Sequence, residues 1–426
     1  MKTDRERDYV AAIETFYKDS DKLDHRTHAV AYEKAMEKLY LRYPEDREAA
    51  AFYALALLST APSTDKTYAN QKKAARILEK IFTEQPKHPG ASHYIIHSFD
   101  YPALASLALP AARNYAKIAP AVPHALHMPS HIFTRLGGLW QESVQSNLAS
   151  AAAAKEYAVK TDMEGAWDQQ LHAMDYLVYA YLQGAQDLEV TRVLDELKAI
   201  QKTEPVGLMA AYAFAAIPAR YAIERRRWSE AVSITAHPST FPWDRFPFAE
   251  AIIHFSRAIG AARSGDADSA RRDVEKLKSL HNGLVAAKES YWADQVEILR
   301  REAAAWLAHA QEKNEEALKL LRSAPDLEDA TEKHPVTPGS IVPGHEFLGD
   351  LLLELNEPRQ ALSEFETSLR TSPNRFTGLY GAARAAELVG DLEKARTYYE
   401  KLVSLCNNAD SERPELRKAK VFLAKK

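Results

Sequence analysis

Six of the fifteen histidines in this 426-residue chain fall between positions 88 and 131: His88, His93, His97, His124, His127 and His131. Imidazole titrates near neutral pH and ligates transition metals, so a local excess of it is where chemistry is sought first. Spacing sharpens the point, because helix positions i, i+3 or i+4, and i+7 share one face. SHYIIHSFD aligns His93, His97 and Asp100; PHALHMPSHIF aligns His124, His127 and His131; LHAMDYLVY aligns His172, Asp175 and Tyr179. These sets predict a metal or small-ligand site with His93, His97, His127 and His131 as ligands and Asp100, His124, His172, Asp175 and Tyr179 in support. An all-nitrogen set without thiolate suits a divalent zinc, copper, iron or nickel ion with an open position, not a closed structural zinc clip. Such an ion lowers the pKa of a bound water and serves hydrolysis or oxidation.

The plainer reading of the same residues is structural. His88 precedes Pro89 and His124 follows Pro123, both at expected helix starts, and the rest can satisfy buried carbonyls on a non-catalytic scaffold that binds a peptide or partner helix. Clustered imidazoles also allow regulation by proton uptake. Pro129 removes an in-helix hydrogen bond and is expected to bend the chain between His127 and His131. Other constellations fail or are common surface features. His345 and Glu346 lack the second histidine of HExxH, because the fifth residue is Gly349. No GxxxxGK[ST], GxGxxG or GxSxG motif occurs, so nucleotide-driven and serine-hydrolase chemistry have no support. Glu250 and His254 form an i, i+4 pair of the kind helix surfaces often carry, and the arginines at 225 to 227 solvate a turn.

To bring such side chains together the chain must supply helices, and its composition does. Gly is scarce at 15, while Ala, Leu, Glu, Lys and Arg dominate, which suits helix interiors and starves sheets. First helices of hairpins are expected near 28–41, 48–58, 90–99, 123–136, 167–183, 206–226, 246–263, 288–311, 345–355 and 375–389. Breaks come from Pro44, Pro86, Pro89, Pro102, Pro120, Pro123 and the Gly137–Gly138 pair. AHPSTFPWDRFPF at 236–248 is too aromatic for a solvated loop and is expected to pack down. Residues 324–344, with four prolines, are expected to separate a 1–323 array, histidine-rich over 88–180, from two regular repeats and a capping helix in 345–426.

A net charge of −4 from 55 basic and 59 acidic residues leaves no global field for nucleic acid. The single Cys406 excludes an internal disulfide. No apolar run approaches the roughly 20 residues that span a bilayer, and the charged N-terminus lacks a secretory core. A cytoplasmic protein without membrane contact is expected.

Near the C-terminus ELNEPRQALSEFETSLRTSP is followed at a fixed offset of 34 residues by LVGDLEKARTYYEKLVSLCN, pairing Leu355 with Val389, Glu357 with Asp391, Ala361 with Ala395 and Phe365 with Tyr399. This resembles the tetratricopeptide repeat (TPR), and the turn-then-amphipathic-helix theme recurs more loosely at 135–151, 225–234 and 263–277. The block PHALHMPSHIFTRLG is similar to one in bacterial TPR-type proteins of unassigned activity. The resemblance implies an all-α, right-handed α-solenoid of TPR-like helical hairpins whose first helices line a concave groove for a protein, peptide or small ligand. Arg375, Tyr380 and Arg384, with Asn374, resemble in part the basic clamp by which some TPR domains hold a peptide carboxylate.

Overall fold

The structure is a computed structural model that describes residues 3–19, 22–62 and 64–425. It divides into two compact units, Met1–Ala121 and Val122–Lys426, each all-α. The division falls after Ala121, not in the proline-rich stretch. The helix Asn314–Ala330 runs on through Pro325, and Thr337, Pro338, Ile341, Val342, Pro343 and Gly344 are buried within the second unit.

In the first unit the helices Asp4–Tyr17, His25–Arg42, Arg47–Ser59, Ala69–Glu84, Pro89–Phe99 and Leu109–Ile118 pack largely as sequential antiparallel neighbours. Their starts follow local chemistry. Thr3 accepts from Glu6 N–H while the Glu6 carboxylate accepts from Thr3 N–H, and the Asp24 and Asp46 carboxylates take N–H groups of the next two helices. His88 does the same for Pro89–Phe99, its Nδ1 accepting from Ala91 N–H at 3.1 Å.

The second unit is a solenoid of TPR-like hairpins. Its inner helices Asp168–Gln183, Leu208–Glu224, Pro247–Arg263, Ser290–Ala310, Gly344–Glu354 and Phe376–Val389 each pack on the next, and shorter or more amphipathic outer helices follow each of them. Leu208–Glu224, Pro247–Arg263, Ser290–Ala310 and Phe376–Val389 are rich in Ala, which lets axes approach closely, and the sequence-based boundaries match the inner helices to within a few residues. Among the described residues the only strands are Ala166–Trp167 and Thr203–Glu204, a two-residue parallel bridge. The aromatic stretch packs down as expected: Phe241, Trp243, Phe246 and Phe248 are buried, and Trp243 Nε1 donates to Pro238 O at 3.0 Å.

The solenoid of this second unit returns on itself. Phe376 N–H donates to Gln183 Oε1 at 2.8 Å, Asn374 Nδ2 donates to Gly137 O at 2.8 Å, and Arg413 Nε donates to Asp187 Oδ2 at 3.1 Å. The last inner helix thereby contacts the end of the first.

Candidate functional site

Pro129 divides the predicted 123–136 helix into Pro123–His127 and Pro129–Leu136, joined through Met128. The bend leaves His127 and His131 on either side of the joint, with their Nε2 atoms 3.0 Å apart. His172, on the inner helix Asp168–Gln183, brings its ring centroid within 4.1 Å of His127 and 6.3 Å of His131. One ring nitrogen from each of the three lies within 4.8 Å of the others. All three side chains are buried, His127 being 1% exposed.

The tautomer of His127 follows from its neighbour. Asn147 Nδ2 donates to Ser143 O at 2.8 Å, which turns Asn147 Oδ1 toward His127 Nδ1 at 2.6 Å. A carboxamide oxygen only accepts, so His127 carries its proton on Nδ1 and presents a lone pair at Nε2. This is how metal-binding imidazoles are commonly oriented. Tyr176 stands edge-on to His127 with centroids 4.6 Å apart, and its hydroxyl lies 3.4 Å from His131 Nδ1.

Electrostatics keep His127 and His172 neutral. Burial, followed by the neighbouring imidazoles, holds His127 and His172 well below the ordinary histidine range. His124, half-buried, is brought down to about 4 by burial and then by His131. Neutral imidazole is the form that ligates a metal. Burial also pushes the Asp168 carboxyl, one helical turn before His172, up to about 6.

The remaining predicted site residues lie as follows. His93 and His97 belong to the first unit, where their Nε2 atoms are 3.1 Å apart and the His93 ring stacks on Tyr115 at 5.4 Å. Asp100 closes the C-terminus of the same helix and is buried. Asp175 is a correction to the face arithmetic. It turns away from the histidines to take Arg220 Nε at 3.1 Å, because a step of three residues lies 60° behind His172 whereas the step of four to Tyr176 lies only 40° ahead. Tyr179 sits under two guanidinium groups, those of Arg220 and Arg375, each 5.3 Å from its centroid. Tyr176 was thus legible from its spacing to His172. Asn147 was not, since it comes from the separate helix Trp140–Lys160 with no periodic relation to the block.

Residues 377–408 match the sequence model of the family described as tetratricopeptide repeat. The chain is a TPR-like helical-repeat protein. Scaffolds of this type typically serve protein interactions. No curated protein matches the TPR-like chain. Similar solved structures include yeast Tom70, at 12% identity over 98% of this chain and 96% of that one with a TM-score of 0.31. Others are the human IFIT1 dimer with m7Gppp-AAAA, at 13% identity, 89% and 79% coverage and a TM-score of 0.39, and Naa15/Naa10 bound to HypK-THB, at 15% identity, 99% and 66% coverage and a TM-score of 0.30. At TM-scores this low, none of these carries an inference about what the TPR-like protein binds. No helix among the described residues is long and apolar enough to cross a membrane.

Within the matched repeat and its flank, Arg375 is fully enclosed, pairing through Nε with Glu346 at 2.8 Å and through Nη2 with Glu224 at 3.1 Å. That commitment corrects its expected place in a carboxylate clamp, since its charge is already matched inside the core. Arg384 pairs with Glu387 at 3.2 Å, and the half-buried Tyr380 packs against the second unit's hydrophobic core.

Proposed function

We propose that this TPR-like scaffold holds one transition-metal ion in its second unit, on His127, His131 and His172. The observation that carries the reading is the meeting of three buried imidazoles from three separate helices, with ring nitrogens within 4.8 Å of one another. Asn147 supports it by presenting the His127 Nε2 lone pair to its neighbours. Nitrogen ligands of this kind suit zinc, copper, iron or nickel, and an ion so held acts as a Lewis acid on a small ligand or water. His93 and His97 form a second imidazole pair in the first unit, of the same chemistry.

Metal analysis of protein purified without an affinity tag, before and after loading with each of these ions, tests the reading. Roughly one equivalent per chain is expected for one of them, and its loss in both H131A and H172A. Metal content below about a tenth of an equivalent under all conditions, unaffected by either change, overturns it. The second reading, a protein-interaction scaffold with structural histidines, is favoured by the repeat match at 377–408. It expects no metal and a marked stability loss in H127A, which would strip a buried hydrogen bond from Asn147.

A further inference from the structure

Most connections between consecutive helices of the solenoid are short, such as Gly184–Gln186, Arg225–Arg227, Ser264–Asp266 and Gln311–Lys313. The segment Thr331–Pro343 is different. It leaves an outer helix, carries no regular structure, and lies across inner helices far apart in sequence. Ile341 and Val342 near its end bury their side chains in the core, and along the rest its main chain accepts from the inner helices. Tyr291 OH donates to Glu332 O at 3.1 Å, Tyr176 OH donates to Thr337 O at 3.1 Å, and Arg220 Nη2 donates to Gly339 O at 2.7 Å while its Nη1 donates to Ser340 O. His334 stacks on Trp292 with centroids 5.0 Å apart and planes 27° from parallel. Gly339 faces the Tyr179 ring, where an added Cβ would sit 3.5 Å from the nearest ring atom.

Donors aimed at carbonyls and an aromatic platform are the means by which a groove holds an extended, proline-containing peptide. Arg220 is anchored from behind by Asp175, which takes its Nε at 3.1 Å and leaves both Nη groups to the strap carbonyls. We infer that Thr331–Pro343 is an intramolecular ligand that occupies the inner face of the second unit, and that an extended proline- and glycine-containing segment of a partner protein competes for the same donors. The strap has the advantage of being tethered, so its effective concentration keeps the face closed until a partner supplies a better or more abundant segment.

Two measurements test this on metal-free protein, so that no bound ion contributes to the outcome. Hydrogen exchange on the unmodified chain is expected to show the amides of 332–343 opening well before those of the inner helices Leu208–Glu224 and Ser290–Ala310. Exchange of all three only through global unfolding would mean that the strap is core, and would overturn the inference. In a full-length variant whose residues 332–343 are replaced by an equally long Gly/Ser stretch, the synthetic peptide TEKHPVTPGSIVPG is expected to bind saturably, at least about tenfold more tightly than to the unmodified chain. Adding Y176F is expected to weaken that binding by roughly three- to tenfold through the lost carbonyl contact. Equal or absent peptide binding in a variant that keeps its helical circular dichroism overturns the proposal, as does a dimer formed by exchange of straps between copies.

Discussion

At the scale of single residues, Asn147 is the side chain on which the proposed metal centre depends most without touching the ion. Its amide is oriented by Ser143 O, and its oxygen fixes the proton on His127 Nδ1. N147A is therefore expected to lower metal affinity by about 10- to 100-fold while leaving the stoichiometry at saturation unchanged, as read by titration against a competing chelator. No change in affinity would remove Asn147 from the site. A second residue, His334, reports on the strap through pH. Burial, then Lys333, brings its imidazole down to about 4, and Val336 N–H donates to its Nδ1 at 3.2 Å, a bond that protonation breaks. Between that value and the ordinary value of about 6.5 the unfolded chain binds the proton and the folded chain does not, so the contribution to stability is complete above about pH 6.5 and is lost as pH falls toward 4. H334Q keeps an acceptor but cannot titrate. The unfolding free energy of the natural chain minus that of H334Q should then fall by up to about 1.4 kcal/mol per pH unit across that window. A flat difference would place the ring in water.

At the scale of elements, the two regular repeats show why a small residue and an aromatic recur at fixed spacing. The Phe365 ring lies between Gly349 and Gly381 on the flanking inner helices. A Cβ added at Gly349 would meet ring atoms at 2.7 Å, and one at Gly381 would meet them closer still. The glycines let two inner helices close on one outer-helix aromatic, which is fully buried. G381A is expected to destabilise by about 1–3 kcal/mol through overpacking, and F365A by about 3–5 kcal/mol through the cavity it opens, both measured by denaturant titration. If G381A were neutral, the helices would have room that this packing denies them.

At the scale of the second unit as a whole, closure of the solenoid is electrostatic as well as apolar. Asp187 accepts from Arg225 Nε at 2.9 Å, from Arg413 Nε at 3.1 Å and from Ser411 Oγ at 2.8 Å, and these neighbours hold its carboxyl below the usual range despite its burial. D187A leaves the nearly enclosed Arg413 charge unmatched, and a loss of about 3–5 kcal/mol is expected in the unfolding of this unit. Gly137, which caps Pro129–Leu136 at φ +60, has the Pro373 carbonyl against the place its Cβ would occupy. G137A is expected to loosen Asn374 from Gly137 and to raise hydrogen exchange in 405–413 without unfolding the inner helices. Unchanged exchange there would mean that the ends are held by the apolar contacts alone.

Helices, their boundaries and the repeat type were determined by the sequence itself, because periodicity, capping residues and prolines act within one or two turns of chain. The grouping of His127 with His131 was legible for the same reason, as was the bend at Pro129. Tertiary structure alone decided that His172, expected only in support, stands beside His127 and His131 with Asn147 behind them, that Asp175 serves Arg220, and that Arg375 is locked into the core by Glu224 and Glu346. It also placed the proline-rich stretch across the inner face instead of between domains. Each of these depends on which helix faces which after the solenoid curls, and that curvature is the sum of many small packing angles set by side-chain volumes at contacts that no local spacing records.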